Sequence, residues 1–327
     1  MPATFIHTAD WHLGKPFAGI VEMDKQAEVR KERIEVLTRL GHLARDRGAE
    51  FVLVAGDLFD SIQPTKTTVA QAFEVIGQMG VPIYAIPGNH DHAGPGGPWG
   101  QEFVQQQMAD LAPDFKILLE PQPVELDSAV ILPCPLLEKF TNTDPTQWLR
   151  EDWAGAVAAD KPRVVLAHGS VWNFSGADLD DESEEHRPAN QIDLDRLPSE
   201  ELDYVALGDW HGLKELGGNC WYSGTPEPDR FPKGEEYLSG QSLVVNARRR
   251  ESPKVEPVNT AQLRWLSQAF NFDAEQTPAM LKEIIDHRLE GLGQQCLLDL
   301  ELSGDLNLTG RAELDQLVVN LEALLLR

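Results

Sequence analysis

The sequence predicts a layered α/β fold, with helices covering β-sheet layers, followed by a small α+β domain. Three observations carry this. Apolar runs of strand length recur at 4–9, 51–55, 83–86, 163–167 and 203–207, and several stop abruptly at polar residues. Nearly continuous runs of that kind fit strands buried on both faces. Helical patterns at about 24–47 and 66–79 separate the first three, which gives a β-α-β-α-β order. The composition then changes near residue 250, where Arg248, Arg249 and Arg250 precede Pro253, Pro257 and Pro278. Beyond that point the pattern predicts a helix near 260–269, a helix at 279–291, a strand at 296–302 and a helix at 311–326. The expected division is therefore 1–250 and 251–327. The last residues, Leu321 to Arg327, lie inside an apolar helical pattern, so the natural chain is expected to extend past residue 327.

Charge limits the choice of partner. The chain carries a net charge of −25. Residues 1–240 hold 19 Lys and Arg against 40 Asp and Glu, whereas 241–327 hold 9 against 13. Proteins that grip nucleic acid alone present a basic face, so the acidity counts against tight DNA binding by this chain unaided. It does not exclude phosphodiester chemistry, because bound cations reverse the local field of an acidic site. Cys134, Cys220 and Cys296 are scattered, which predicts buried free thiols rather than a disulfide framework. No signal peptide or apolar run of membrane-spanning length is seen, and the expected location is cytoplasmic.

The strand ends carry the chemistry. In layered α/β folds, ligands bind outside the carboxyl ends of strands. The first run leads into Asp10-x-His12, whose alternation brings a carboxylate and an imidazole to one strand end. The second leads into Gly56-Asp57, where a carboxylate can bridge two ions with one oxygen each. The third leads into Gly88-Asn89-His90-Asp91: Asn89 offers a neutral oxygen, His90 a proton donor, and Asp91 a carboxylate able to orient the His90 ring. The fourth ends at His168 and the fifth at Gly208-Asp209-x-His211. Carboxylate, amide and imidazole donors without a thiolate suit hard to borderline octahedral ions such as Mn²⁺. Two such ions, about 3.5–4 Å apart, clamp a phosphoryl oxygen and activate water for in-line displacement, so no Ser or Cys nucleophile is needed.

Other residues read less sharply. Tyr222, Ser223, Asp229 and Arg230 are candidates for contact with a substrate phosphate or base, and equally for a structural turn shaped by Gly224, Pro226 and Pro228. The acidic stretch at 175–190 reads as a solvated loop, and Trp172 and Phe174 before it as stacking or core residues. His7 reads as a buried strand residue behind the site. His42, His287, His186 and His92 receive no role.

The sequence of motifs resembles the calcineurin-like metallophosphoesterase superfamily. The wording Ala9–Lys15 (A-D-W-H-L-G-K), Ala55–Ser61 (A-G-D-L-F-D-S) and Tyr222–Pro228 (Y-S-G-T-P-E-P) is similar to the Mre11/SbcD DNA repair nucleases. That resemblance implies a β-sandwich core flanked by helices over roughly 1–245, with a cap domain after 250. It implies one Mn²⁺ on Asp10, His12 and His211, a second on Asn89, His168 and Asp209, Asp57 bridging, and His90 assisting the leaving oxygen. It also implies DNA as substrate, a Rad50/SbcC-type ATPase as partner, and a homodimer. The chain departs from the pattern at Asp209, where the family usually has a His. Hydrolysis of DNA phosphodiester bonds is thus the expected function. Hydrolysis of small cyclic or dinucleotides is the alternative, ahead of a non-enzymatic scaffold.

Overall fold

Chain order runs from β1 (Ala3–Thr8) through α1 (Met23–Asp46), β2 (Phe51–Ala55), α2 (Lys66–Gln78) and β3 (Ile83–Ile86) to α3 (Glu102–Leu111) and β4 (Phe115–Ile117). The middle of the chain holds β5 (Val124–Glu125), β6 (Val130–Cys134), β7 (Arg163–His168), β8 (Ser170–Val171), β9 (Gln191–Ile192) and β10 (Tyr204–Gly208). Then follow β11 (Lys214–Gly217), β12 (Cys220–Tyr222), β13 (Gln241–Ala247) and β14 (Lys254–Asn259). Last come β15 (Arg264–Phe272), α4 (Pro278–Arg288), β16 (Cys296–Gly304) and α5 (Leu308–Leu324). This is a computed structural model, and it describes residues 2–172, 189–232, 234, 237–273, 276–290, 292 and 295–327. Most of the acidic stretch, with Phe174 and His186, lies outside the described residues.

Two six-stranded sheets form the body, one ordered β14-β13-β1-β2-β3-β4 and the other β11-β12-β10-β7-β6-β5. Strands β1 to β4 run parallel, as do β6, β7, β10 and β12. Between the sheets lies an apolar layer in which Phe5 stacks on Phe51 with ring centroids 5.1 Å apart and meets Tyr204 edge-on. Because both faces of these strands are covered, their sequences are continuous apolar runs rather than alternating ones. Helix α1 buries Val36, Leu37, Leu40 and Ala44 on one stripe against the outer face of the first sheet, together with α2 and α3. Thr65 caps α2 by accepting from the Thr68 N–H. The outer face of the second sheet is covered by loops and short 3-10 turns carrying Leu149, Trp153, Leu197, Trp210 and Tyr237.

The C-terminal part differs from the sequence expectation. Residues 264–272 are the strand β15, not a helix. The reason is visible in the residues: Leu266, Phe270 and Phe272 alternate with exposed positions and pair in parallel register with β16. The first sheet also runs past residue 250, since β14 pairs with β13 from Gln241↔Asn259 to Asn246↔Lys254. The β15-α4-β16-α5 unit packs through Leu263, Trp265, Leu297 and Leu326 onto Phe17, Ile20 and Val29. All three cysteines are buried and free. Among the described residues no helix is long and apolar enough to cross a membrane.

Candidate metal centre

Five parallel strands deliver their carboxyl ends to one place. Asp10 follows β1, Asp57 follows β2, Asn89 follows β3, His168 closes β7, and Asp209 and His211 follow β10. The turns are unusual. Asp10, His12, Asp57 and Asp209 adopt φ of 53°, 43°, 52° and 104°, a region costly to residues with a Cβ. Strain of this kind is of order 1–3 kcal/mol per residue and gathers at functional sites. Backbone bonds from the Asp10 N–H to the Gly56 carbonyl (3.1 Å) and from His12 to Asp57 (2.9 Å) lock the first two turns together. Crowding explains the glycines: a Cβ at Gly56 would overlap the His168 ring, and one at Gly88 the Asp57 carboxylate.

All seven residues expected as ligands converge. The donor atoms of Asp10, His12 and His211 lie within 4.8 Å of one another, as do those of Asp10, Asp57 and His168, and those of His12, Asp57 and His90. Asp57 Oδ2 stands between two imidazoles, 3.6 Å from His12 Nε2 and 3.6 Å from His168 Nε2. His168 Nε2 also faces Asn89 Oδ1 at 3.2 Å and Asp209 Oδ1 at 3.7 Å. The Asp209 N–H donates to Asp10 Oδ1 at 3.1 Å, and its Oδ2 accepts from the Ser170 hydroxyl at 2.7 Å.

The protons show what this donor set fits. His168 Nδ1 lies 2.8 Å from the Ala55 carbonyl, which can only accept, so Nδ1 carries hydrogen and Nε2 is left facing oxygen atoms. His211 Nδ1 is 3.1 Å from Asp229 Oδ1, and His12 Nδ1 is 3.2 Å from Asp60 Oδ1. Each outer nitrogen faces a carboxylate, while the two Nε2 atoms face each other at 3.1 Å. Two imidazole lone pairs at that distance repel unless a cation or a proton lies between them. The residues present therefore fit divalent cations of the hard to borderline kind.

Electrostatics agrees. Burial alone would lower His168, but Asp57, Asp10 and Asp209 overrule it and push the imidazole up to about 9. Burial raises Asp10 to about 6 against the pull of His211 and His168. Burial, with the His211 and His90 rings beside it, holds His12 well below its ordinary value. Buried carboxylates that raise a histidine mark a pocket short of positive charge.

Other expectations are corrected. Asp91 does not orient the His90 ring: its buried carboxylate accepts the backbone N–H groups of Leu58 (2.9 Å), Phe59 (3.1 Å) and Gly88 (2.8 Å). Asp91 thus pins the turns that carry Asp57 and Asn89. His90 is fixed by Asp60 instead, whose carbonyl lies 2.9 Å from His90 Nδ1. Burial, followed by repulsion from Asp57, pushes Asp91 up to about 7. Tyr222 is buried and donates to the Gly169 carbonyl at 2.7 Å while accepting from the Val171 N–H. Ser223 is buried and bonds the Gly224 carbonyl at 3.1 Å. Both are spent on the turn and are not available to substrate. Arg230 is half-buried, with Nε 3.2 Å from Asp229 Oδ1. His7 is buried in the core between Tyr204 and the Leu207 carbonyl, and burial lowers it to about 3.

Asp60, Lys15 and Ser170 contribute without a role expected from the sequence, and Asp229, a candidate for substrate contact, faces His211 instead. Lys15 Nζ lies 3.0 Å from Asp229 Oδ2. Burial would raise Asp229, but His211, Arg230 and Lys15 hold it well below the ordinary carboxylate range. Asp60 and Lys15 carried a signal, as the last residues of the motifs Gly56–Asp60 (G-D-L-F-D) and Ala9–Lys15 (A-D-W-H-L-G-K), whereas Ser170 carried none.

A two-sheet α/β sandwich with this donor set at its strand ends defines a metallophosphoesterase domain. The chain belongs to the calcineurin-like phosphoesterase family, whose model matches residues 3–213. It is 35% identical over 101 residues to the uncharacterized metallophosphoesterase YhaO of Bacillus subtilis (strain 168). That match covers 29% of this chain and 24% of the curated relative, so the chain spans about a quarter of that protein. A crystal structure of TT1561 of Thermus thermophilus aligns with a TM-score of 0.47 at 15% identity, covering 80% of this chain and 100% of that one.

Proposed function

We propose that this chain is a Mn²⁺-dependent phosphodiesterase that hydrolyses DNA phosphodiester bonds in the manner of the Mre11/SbcD nucleases. The observation that carries the phosphodiesterase reading is the position of Asp57 between the His12 and His168 imidazoles, at 3.6 Å from each. A single carboxylate there joins two donor sets, Asp10, His12 and His211 on one side and Asn89, His168 and Asp209 on the other. Two divalent cations held by those sets would supply Lewis acidity and water activation for in-line displacement at phosphorus. The residues do the rest. The Asp60 carbonyl fixes the His90 ring through Nδ1, leaving Nε2 to meet the leaving oxygen. The Asp229 carboxylate accepts from the outer nitrogen of His211, and the Asp60 carboxylate lies 3.2 Å from that of His12 without a hydrogen bond to it.

DNA as substrate is supported by the wording of the motifs around Asp10, Asp57 and Tyr222. The same resemblance supports a Rad50/SbcC-type ATPase and a second copy of this chain as partners. An ATPase partner with a basic face would supply the DNA grip that the acidic surface lacks. The excess of 40 acidic over 19 basic residues in 1–240 favours a second reading, a small cyclic or dinucleotide substrate. The test gives purified protein, Mn²⁺, linear DNA and a small chromogenic diester, with Asp57→Ala as control. Both substrates are expected to be cleaved, and Asp57→Ala to be inactive. Activity surviving in Asp57→Ala would sink the two-cation assignment. Cleavage of the small diester with DNA left intact, at low salt and with the ATPase present, would replace DNA by the second reading.

A further inference from the structure

We infer that Arg33, a residue outside every motif described above, is the positioning residue for the Asp10–His12 turn and through it for the cation bound there. The inference rests on the ligand assignment just proposed. Arg33 projects from α1 and is fully buried, yet among the described residues no carboxylate lies within hydrogen-bonding range of its guanidinium. Its donors go to the backbone and one hydroxyl. Nε reaches the Trp11 carbonyl at 2.9 Å, and one terminal nitrogen reaches the Asp10 carbonyl at 3.1 Å and the Thr225 hydroxyl at 3.0 Å. The other reaches the Glu227 carbonyl at 2.9 Å.

These partners are not scattered. Asp10 and His12 are two ligands held at positive φ, and Trp11 lies between them. Thr225 and Glu227 belong to the turn that carries Asp229, the carboxylate facing His211. Thr225 Oγ1 also lies 2.9 Å from the Asp10 carbonyl and 2.9 Å from the Glu227 carbonyl. One guanidinium therefore ties both halves of the donor set Asp10, His12 and His211. A planar fork with five donors matches several fixed carbonyls at once, which a lysine ammonium cannot do.

The sign of the effect separates positioning from its rivals. A buried positive charge near a cation site repels the cation, so charge alone predicts tighter Mn²⁺ binding in Arg33→Met and no change in Arg33→Lys. Positioning predicts weaker binding in both, because Lys keeps the charge and loses the fork. A purely structural role lowers the melting temperature of the metal-free protein and leaves affinity untouched. Substitutions that disturb the support of metal ligands typically weaken metal affinity about 10- to 100-fold. Calorimetric titration of the full chain with Mn²⁺ alone is expected to show a loss of that size in both variants. Tighter binding in Arg33→Met, or wild-type affinity in Arg33→Lys, overturns the inference. If neither variant folds, Thr225→Val removes one partner of the fork at nearly constant volume. It is expected to weaken Mn²⁺ by about threefold, a smaller loss than removal of the whole support, and unchanged affinity there overturns the inference equally. Wild-type protein that bound no Mn²⁺ would overturn the ligand assignment instead, a result distinguishable from either.

Discussion

Cations at this centre must compete with protons, and His168 lets the competition be worked through. Its Nδ1 is committed to the Ala55 carbonyl, so only Nε2 remains for a cation. Without a cation, Asp57, Asp10 and Asp209 outweigh the effect of burial and keep the imidazole protonated up to about 9. A ligating imidazole must be neutral, so binding releases that proton. Each pH unit below 9 then weakens the ion on His168 about tenfold, or about 1.4 kcal/mol. From about pH 8 to about pH 6 the expected loss is about 100-fold. Near pH 6 Asp10, raised to about 6 by burial, begins to hold a second proton and steepens the fall. The assay is calorimetric titration of chelator-stripped protein with Mn²⁺ in buffers of different ionisation enthalpy. Near about pH 7.5 about one proton should be released per ion bound at His168. A flat affinity across this range, without proton release, would refute His168 as a ligand.

The same shifts set the stability of the metal-free protein. A histidine raised above its ordinary 6.5 contributes stability that is fully present below 6.5 and is lost as pH rises through about 9. For Asp10, burial disfavours the charged form, so its penalty also appears as pH rises, from about 4 to about 6. Below about pH 6.5 the lowered His7 and His12 act in the opposite sense, so it is above about pH 6.5 that metal-free Tm should fall with rising pH, and the gain in Tm on adding Mn²⁺ should grow in the same direction.

Asp91→Asn replaces an acceptor of three backbone N–H groups by a side chain with one acceptor end, leaving at least one buried donor unpaired at a cost of about 1–3 kcal/mol. Thermal unfolding above about pH 8, where the carboxylate is charged, should show that loss together with weaker Mn²⁺ binding; wild-type values for both would contradict the role assigned to Asp91. Asp209→His should keep cation binding and shift the preference among Mn²⁺, Zn²⁺ and Mg²⁺ toward ions that favour nitrogen. Comparative titrations check it, and loss of folding would make Asp209 structural.

The sequence made the centre legible because each strand announces itself twice, by an apolar run and by the polar residue that ends it. Runs 51–55 and 83–86 coincide with β2 and β3, and the cluster of Asp10, Asp57, Asn89, His168 and Asp209 follows from where those runs stop. Short strands such as β5 and β12 have too few residues to show a period, and only their neighbours in the sheet define them. The residues that support the ligands were illegible for a different reason. Arg33 meets its partners across up to 195 positions of chain, and nothing local distinguishes it from a surface charge, while Asp229, though a candidate, gave no sign that its partner is His211, 18 positions away. Asp91 was misassigned because adjacency in Gly88–Asp91 suggested contact with His90, whereas the strand-end geometry turns it toward the neighbouring turn.

Asp209 bears most directly on substrate. In the proposed set Asp10, Asp57 and Asp209 bring three negative charges to the four positive charges of two divalent cations, leaving one in excess. A histidine at 209 would leave two. The charges around that set cancel above about pH 7, since Asp60, Asp91 and Asp229 face Lys15, Arg230 and the buried Arg33: Lys15 lies 4.0 Å from Asp60 and 3.0 Å from Asp229, and Arg230 is 3.2 Å from Asp229. One excess positive charge matches the single negative charge of a phosphodiester, whereas a phosphomonoester dianion would enter a site able to neutralise only half its charge. In a pocket this buried, unmatched charge is penalised more heavily than in water. On the proposed ligand set, Asp209 would thus favour diesters over monoesters. A measured preference for a monoester over the matching diester, reversed by Asp209→His, would show the charge balance to be wrong.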